Sequence, residues 1–312
     1  MQDSKELMND KNKINGKIYR WLEILGFILL LVVVLQLLSY FMNPIYFDSP
    51  GMVSERDKYV SYALQEPADS IDVLILGDSE AMVLASTEIL WDEEGISSYI
   101  CAQHAQRLSE TYFFLKDISK KQHPKVVIIE TNAIVHDTTN KLEALMYSSV
   151  VMNKTFPILR YHNEWRQMWG LEPPTEYIHN RGFEKREVIA PYSGPEYMIP
   201  TKEVAKIDVV AKTYLEKIRK MCDEKGISLV LVSSPSSVNM NYAKHNVLQK
   251  YADENNIDFI DFNLLLDEIQ FDWETDTGDS GDHINYNGTV KTTHYLMNYL
   301  KNNYDLPDRR ND

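Results

Sequence analysis

Charge is absent from one long stretch of this chain, and cysteines, basic residues and repeats are scarce elsewhere. Two cysteines, Cys101 and Cys222, in 312 residues make a disulfide framework implausible. Cys101 falls in an expected strand and Cys222 in an expected helix, so both read as buried free thiols, a pattern indifferent to compartment. Basic residues are in deficit: 32 Lys and Arg against 46 Asp and Glu give a formal net charge of −14, which argues against general nucleic-acid binding. There is no internal repeat and no low-complexity tract. Hydrophobic content of 44% is ordinary for a globular chain and argues against bulk disorder.

The uncharged stretch runs from Ile24 to Met42. At 1.5 Å per residue it spans roughly 28 Å, close to one hydrocarbon core. A cleaved signal peptide has a shorter apolar region and a small-residue cleavage site. Here Tyr40-Phe41-Met42-Asn43-Pro44 follows, which reads as an interfacial aromatic anchor. Lys5, Lys11, Lys13, Lys17 and Arg20 precede the run, and the first basic residue beyond it is Arg56. The positive-inside rule then places the amino terminus in the cytoplasm and everything after Asn43 outside. The expected organisation is a cytoplasmic tail (1–20), a transmembrane anchor (21–42), a stalk (43–69) marked by Pro44, Ser49-Pro50-Gly51 and Pro67, and an extracytoplasmic domain (70–306).

Strands and helices alternate from Ile71 onward. Ile71 to Leu76, Ser98 to Cys101, Val126 to Glu130, Ser228 to Val232 and Phe259 to Phe262 read as strands. Helical spacing marks 109–119, 204–225 (ended by Gly226), 239–254 and 287–300. This order predicts an α/β fold with a parallel sheet covered on both faces. Residues 140–200 break the scheme. They hold no clean strand but concentrate Tyr147, Phe156, Tyr161, Trp165, Trp169, Tyr177, Phe183, Tyr192 and Tyr197. A structureless loop of that length is improbable, so a helical insertion over the carboxyl edge of the sheet is expected. Its aromatics form either a satellite core or a groove for a sugar ring.

The chemistry concentrates at two distant places. Gly77-Asp78-Ser79 follows the first strand, at the sheet edge where open α/β folds place their ligands. Read alone, it is a turn whose Asp78 or Ser79 caps the next helix. Read with Gly281-Asp282-His283, it offers a nucleophile and a base. A carboxylate must orient the imidazole, and two are near: Asp279, four residues earlier, and Asp282, immediately before. Adjacent side chains tend to point apart, which favours Asp279. Asn132, after the third strand, and the backbone N–H of Ser79 are suitable oxyanion donors. Six other histidines (104, 123, 136, 179, 245 and 294) have no partner at metal-ligand spacing and read as structural or solvated. His162, within the aromatic insertion, is a candidate substrate contact. Arg107, with Arg160 and Arg166, is a candidate basic patch in an otherwise acidic domain. The acidic loop 272–279 does not fit the calcium-loop pattern, since Gly278 is one place late and His283 stands where a glutamate is needed. No metal or cofactor is expected.

On these residues the chain resembles the SGNH/GDSL hydrolase superfamily, and within it the membrane-anchored extracytoplasmic branch. Gly77-Asp78-Ser79 resembles its first block, Glu130-Thr131-Asn132 its third, and Asp279 to His283 with Ile284-Asn285-Tyr286 its last. The likeness covers about residues 70–305. It implies a three-layer, flavodoxin-like parallel sheet, with Ser79 as nucleophile, His283 as base and Asp279 as acid. There are two departures. The second block, Cys101 to Arg107, lacks the usual glycine, so an oxyanion N–H would come from Ala102 or Ala105. The Asp–His spacing in the last block is four rather than three. The resemblance implies acyl-ester chemistry outside the cell, as O-acetyl transfer or deacetylation on a cell-envelope or secreted polysaccharide, beside a multi-pass membrane O-acyltransferase. The alternative is a non-catalytic accessory or glycan-binding subunit of such a system.

Overall fold

The computed structural model describes residues 2–48, 57–135, 141–173 and 180–311, with side chains described for 16–42, 57–135, 145–173 and 180–310. His136, Tyr177 and His179 lie outside the described residues, as does Arg56. The amino-terminal helix α1 (Gln2–Asp48) includes Gly16–Met42, a stretch long and apolar enough to cross a membrane. Helix α2 (Lys58–Gln65) corrects the reading of 43–69 as a stalk. Tyr59, Val60, Ala63 and Leu64 recur on one face of α2 and are buried in the core. The surrounding prolines masked that short helical period.

Five parallel strands follow: β1 (Val73–Gly77), β2 (Ser98–Ala102), β3 (Val126–Glu130), β4 (Ser228–Ser233) and β5 (Asp258–Asp261). Their spatial order is β2-β1-β3-β4-β5. The first three are buried at every position, as a sheet covered on both faces requires. The connecting helices are α3 (Ser79–Leu84), α4 (Thr87–Glu94), α5 (Leu108–Ile118), α6 (Asn132–Val135), α7 (Lys141–Thr155), α8 (Ile158–Tyr161), α9 (Trp165–Met168), α10 (Val209–Lys225), α11 (Tyr242–Asn255) and α12 (Tyr286–Asn303). This is the expected three-layer, flavodoxin-like arrangement. Strand order reverses at β1, so β1 and β3 leave the sheet in opposite directions and open a crevice beyond their carboxyl ends. Ser79 stands after β1 and Asn132 after β3, on either side of that crevice.

Helix α10 starts later than its apolar stripe suggests because the Asp208 carboxylate caps it, accepting from the N–H groups of Val210 and Ala211. The carboxyl terminus also packs beyond the expected boundary at 306. Arg309 donates to both carboxylate oxygens of buried Asp72 at 2.9 Å.

The insertion is helical only in its first half, which packs against α5 and, through α8, against α1. Helix α7 lies against α5, with Tyr147 stacked on Tyr214 of α10 at 6.3 Å. Tyr147, Tyr161 and Phe183 join the main core with the sheet residues and form no separate satellite core among the described residues. Residues 183–208 instead form an extended strap, in which Pro191, Pro195 and Pro200 deny a helix its donors. The strap binds the last block through its backbone: Tyr286 N–H donates to Arg186 O at 2.6 Å, Ala190 N–H to Thr277 O at 2.9 Å and Ser280 N–H to Ala190 O at 3.0 Å.

Candidate active site

Ser79 opens α3, two residues past the end of β1. Asp78 caps that helix by accepting from Glu80 N–H at 3.1 Å, so the capping reading and the nucleophile reading describe the same turn. The turn is tight. A Cβ on Gly77 would lie 2.7 Å from Glu130 Cβ and 2.8 Å from Ala81 Cβ, so the position has no room for a side chain. Asn132 Nδ2 donates to the other Asp78 oxygen at 2.8 Å and ties the two sides of the crevice together.

The last block meets this turn from the opposite end of the chain. Ser79 Oγ and His283 Nε2 are 2.8 Å apart, and His283 Nδ1 is 2.6 Å from Asp279 Oδ2. Asp279 Oδ1 also accepts the backbone N–H of His283 at 2.5 Å. With Nδ1–H donating to Asp279, Nε2 is left to accept the Ser79 hydroxyl proton. Asp282 is the poorer partner: its Oδ2 is 3.5 Å from Nδ1, and its Oδ1 accepts from Asn239 Nδ2 at 2.6 Å. The longer Asp–His spacing is absorbed locally. Ser280 (φ 61) and Gly281 (φ 97) both take left-handed conformations and fold Asp279 back onto the imidazole. Only glycine suits position 281, since a Cβ there would meet Ser237 Oγ at 2.2 Å.

The other expected site residues divide. The loop holding Ala105 follows β2, whose Ala102 is in register with Gly77, so it borders the crevice. Ala105 takes a left-handed conformation (φ 52) of the kind that glycine adopts most readily. Arg107 is buried: its backbone N–H donates to Glu110 and its guanidinium reaches Met146 Sδ at 3.8 Å. His162 ends α8, beside α1, with its ring against Leu159 O. Nor do the three arginines form a basic patch. Arg160 pairs with Asp57 at 2.5 Å and Arg166 with Glu172 at 2.8 Å. In the acidic loop, Lys291 neutralises buried Asp276 at 2.5 Å. His123, His245 and His294 each pair with a nearby acid.

Sequence reasoning missed what braces the site. Asn239 joins Asp282 to Glu80, donating to Glu80 Oε1 at 2.8 Å, and Ser236 Oγ donates to Asp282 O at 2.8 Å. The polar run Ser233-Ser234-Pro235-Ser236-Ser237, at the end of a buried strand, is the signal that marks this loop. Glu80 and Glu130 are buried behind the nucleophile, beside a polar cavity of about 10 Å³, the size of one water. Burial pushes the Glu80 carboxyl well above the usual range, and the charges of Glu130 and Asp78 add to this. Glu130 is pushed up by burial and by Asp78, against the pull of three backbone N–H donors. Glu80, Asp282 and His283 offer ligand atoms within 4.8 Å of one another, but both ring nitrogens of His283 are engaged by Ser79 and Asp279. Metal binding there would compete with that hydrogen-bonded line.

A carboxyl whose folded pKa is raised stabilises the fold fully below its unfolded pKa. That contribution fades as pH rises toward the folded value. Glu80→Gln keeps an amide oxygen for Asn239 and cannot ionise. Its stability relative to wild type is therefore expected to rise as pH climbs above about 4.3, as urea melts at several pH values will measure. A constant offset across pH would mean that Glu80 is not held neutral.

No family model and no curated protein matches the chain. Among solved structures it is similar to the esterase EstA from Pseudoalteromonas sp., at 14% identity and TM-score 0.40, over 74% of this chain and 96% of that one. It is similar to a putative acylhydrolase from Bacteroides fragilis at 11% identity and TM-score 0.41, over 80% and 98%. A putative lipolytic protein of the G-D-S-L family from Desulfitobacterium hafniense matches at 15% identity and TM-score 0.40, over 73% and 98%.

Proposed function

We propose that the chain carries out serine-dependent acyl-ester chemistry. The observation that carries this reading is the unbroken hydrogen-bonded line from Ser79 through His283 to Asp279. Ser79 Oγ attacks the ester carbonyl carbon while its proton passes to His283 Nε2, and Asp279 steadies the resulting imidazolium. The oxyanion is held by the Ser79 N–H, by the Asn132 amide and by the N–H of Ala105. Collapse expels the alcohol, which takes the proton from His283 and leaves Ser79 acylated. Water or a sugar hydroxyl then attacks the acyl carbon, gives its proton to His283 and releases Ser79. Water makes the enzyme an esterase; a hydroxyl makes it a transferase.

The finer reading is O-acetyl transfer or deacetylation on a cell-envelope or secreted polysaccharide. The domain is held outside the cell by α1, and a multi-pass O-acyltransferase is its partner. Two things support this: the basic residues clustered before the apolar run, and the resemblance of the three blocks. The accessory alternative leaves the Ser79–His283–Asp279 geometry without a purpose. Removing one oxyanion donor typically costs about 10²–10³ in kcat. Asn132→Ala is thus expected to turn over an acetyl-ester reporter slowly but measurably. Unchanged kcat would remove Asn132 from the oxyanion site.

A further inference from the structure

The helical half of the insertion carries a feature that the chemistry does not use. Its inner side is fixed to the domain. Tyr161 Oη donates to Asp57 at 2.6 Å, Arg160 pairs with the same carboxylate, Lys154 pairs with Asp117, and Tyr147 stacks on α10. Its outer side exposes large apolar residues, Met152 (46%), Leu159 (40%), Trp165 (38%), Trp169 (73%) and Leu171 (63%), interleaved with exposed Ser148, Ser149, Thr155, His162, Asn163 and Arg166. Trp165 and Trp169 pack edge to face at 5.2 Å, so they present one aromatic block. Concentrated apolar exposure of this kind marks an interaction surface.

The depth of this surface identifies what covers it. Gln36 Nε2 donates to Thr155 O, and Ile158 N–H donates to Ser39 Oγ, each at 3.3 Å. Both partners lie within the apolar stretch that ends at Met42. At 1.5 Å per residue, Ser39 is about 5 Å and Gln36 about 9 Å inward of Met42. The α7–α8 corner is therefore held at the depth where interfacial helices sit, roughly 5–10 Å into the headgroup and acyl boundary. Tryptophan is the residue favoured at that level. The cations of this segment are already matched: Lys154 by Asp117, Arg160 by Asp57 and Arg166 by Glu172. Apolar burial, and not attraction to anionic lipid, is the driving term.

We infer that the outer face of residues 145–171 is a second membrane attachment, seated in the outer leaflet of the bilayer that α1 spans. This rests on the reading of α1 as a membrane anchor. Attachment at two points stops the domain from rotating freely about α1 and holds the catalytic edge at a fixed height above the lipid.

The test uses the full chain in phosphatidylcholine nanodiscs. Single cysteines are introduced as Leu30→Cys, Leu159→Cys, Leu171→Cys and, exposed after the edge strand β5 opposite β2, Leu264→Cys, each carrying an environment-sensitive fluorophore. Native Cys101 and Cys222 are buried and stay unlabelled, since burial pushes the Cys101 thiol up and the Cys222 thiol to about 12. The label at 30 is expected to be quenched by deeply brominated lipid and the label at 264 by none. Those at 159 and 171 should be quenched at least about twofold more by shallow than by deep bromines, and insensitively to salt. Quenching at 30 with none at 159 or 171 would overturn the inference and leave the anchor standing. An unquenched label at 30 would overturn the anchor and the inference with it. If 159 and 171 are shielded in native membranes yet unquenched in pure lipid, a protein covers this face and the bilayer does not.

Discussion

Replacing Ser79 by alanine is expected to lower kcat on an acetyl ester by about 10⁶-fold, the loss seen when the nucleophile of a serine triad is removed. The expectation follows from the contact of Ser79 Oγ with His283 Nε2 at 2.8 Å. Without the oxygen there is no acyl-enzyme, and the residual rate comes from binding and oxyanion donors alone. The fold should survive. Ser79 is only partly buried, and removing its hydroxyl leaves the Asp78 cap on α3 intact. A circular-dichroism melt at the wild-type temperature would therefore accompany the lost activity. Wild-type turnover in Ser79→Ala would make the accessory reading the better one.

The second large effect separates two neighbouring carboxylates. Asp279→Asn is expected to cost about 10⁴ in kcat, because an amide beside Nδ1 favours the tautomer in which Nε2 no longer accepts the serine proton. Asp282→Asn should stay within about tenfold of wild type, or about 1.4 kcal/mol. Its carboxylate is 3.5 Å from Nδ1 and is engaged by Asn239. Steady-state kinetics of the two variants on the same reporter decide the matter. The reverse order of effects would move the acid to position 282 and make Asp279 a loop brace.

The parts of this arrangement that were legible in the sequence are those written in local chemistry. An uncharged run long enough for a bilayer, buried strands rich in branched residues, and a Gly-Asp-Ser turn and a Gly-Asp-His stretch that the fold brings together are each visible within a few residues. The missing parts depend on contacts across the sheet. Nothing near Asn239 announces that its amide will bridge Glu80 and Asp282, and nothing in Glu130 announces that glycine at 77 makes room for it. Arg107 and His162 show the same dependence. Neither the burial of an arginine beside a site-forming loop nor the packing of a histidine's helix against α1 is written in the neighbouring residues. The last block shows the converse. Its Asp–His spacing of four departs from the resembled pattern, yet two consecutive left-handed residues turn it into a close Asp279–His283 contact.

The central claim is that Ser79 becomes covalently acylated. The full chain, mixed with an activated acetyl ester, quenched in acid and digested, would be mapped by mass spectrometry. The account predicts an acetyl group on the peptide carrying Gly77-Asp78-Ser79. That label should be lost in Ser79→Ala and its formation slowed in Asp279→Asn. Ester turnover with no acyl group at Ser79, or equal labelling of the Ser79→Ala chain, would contradict it.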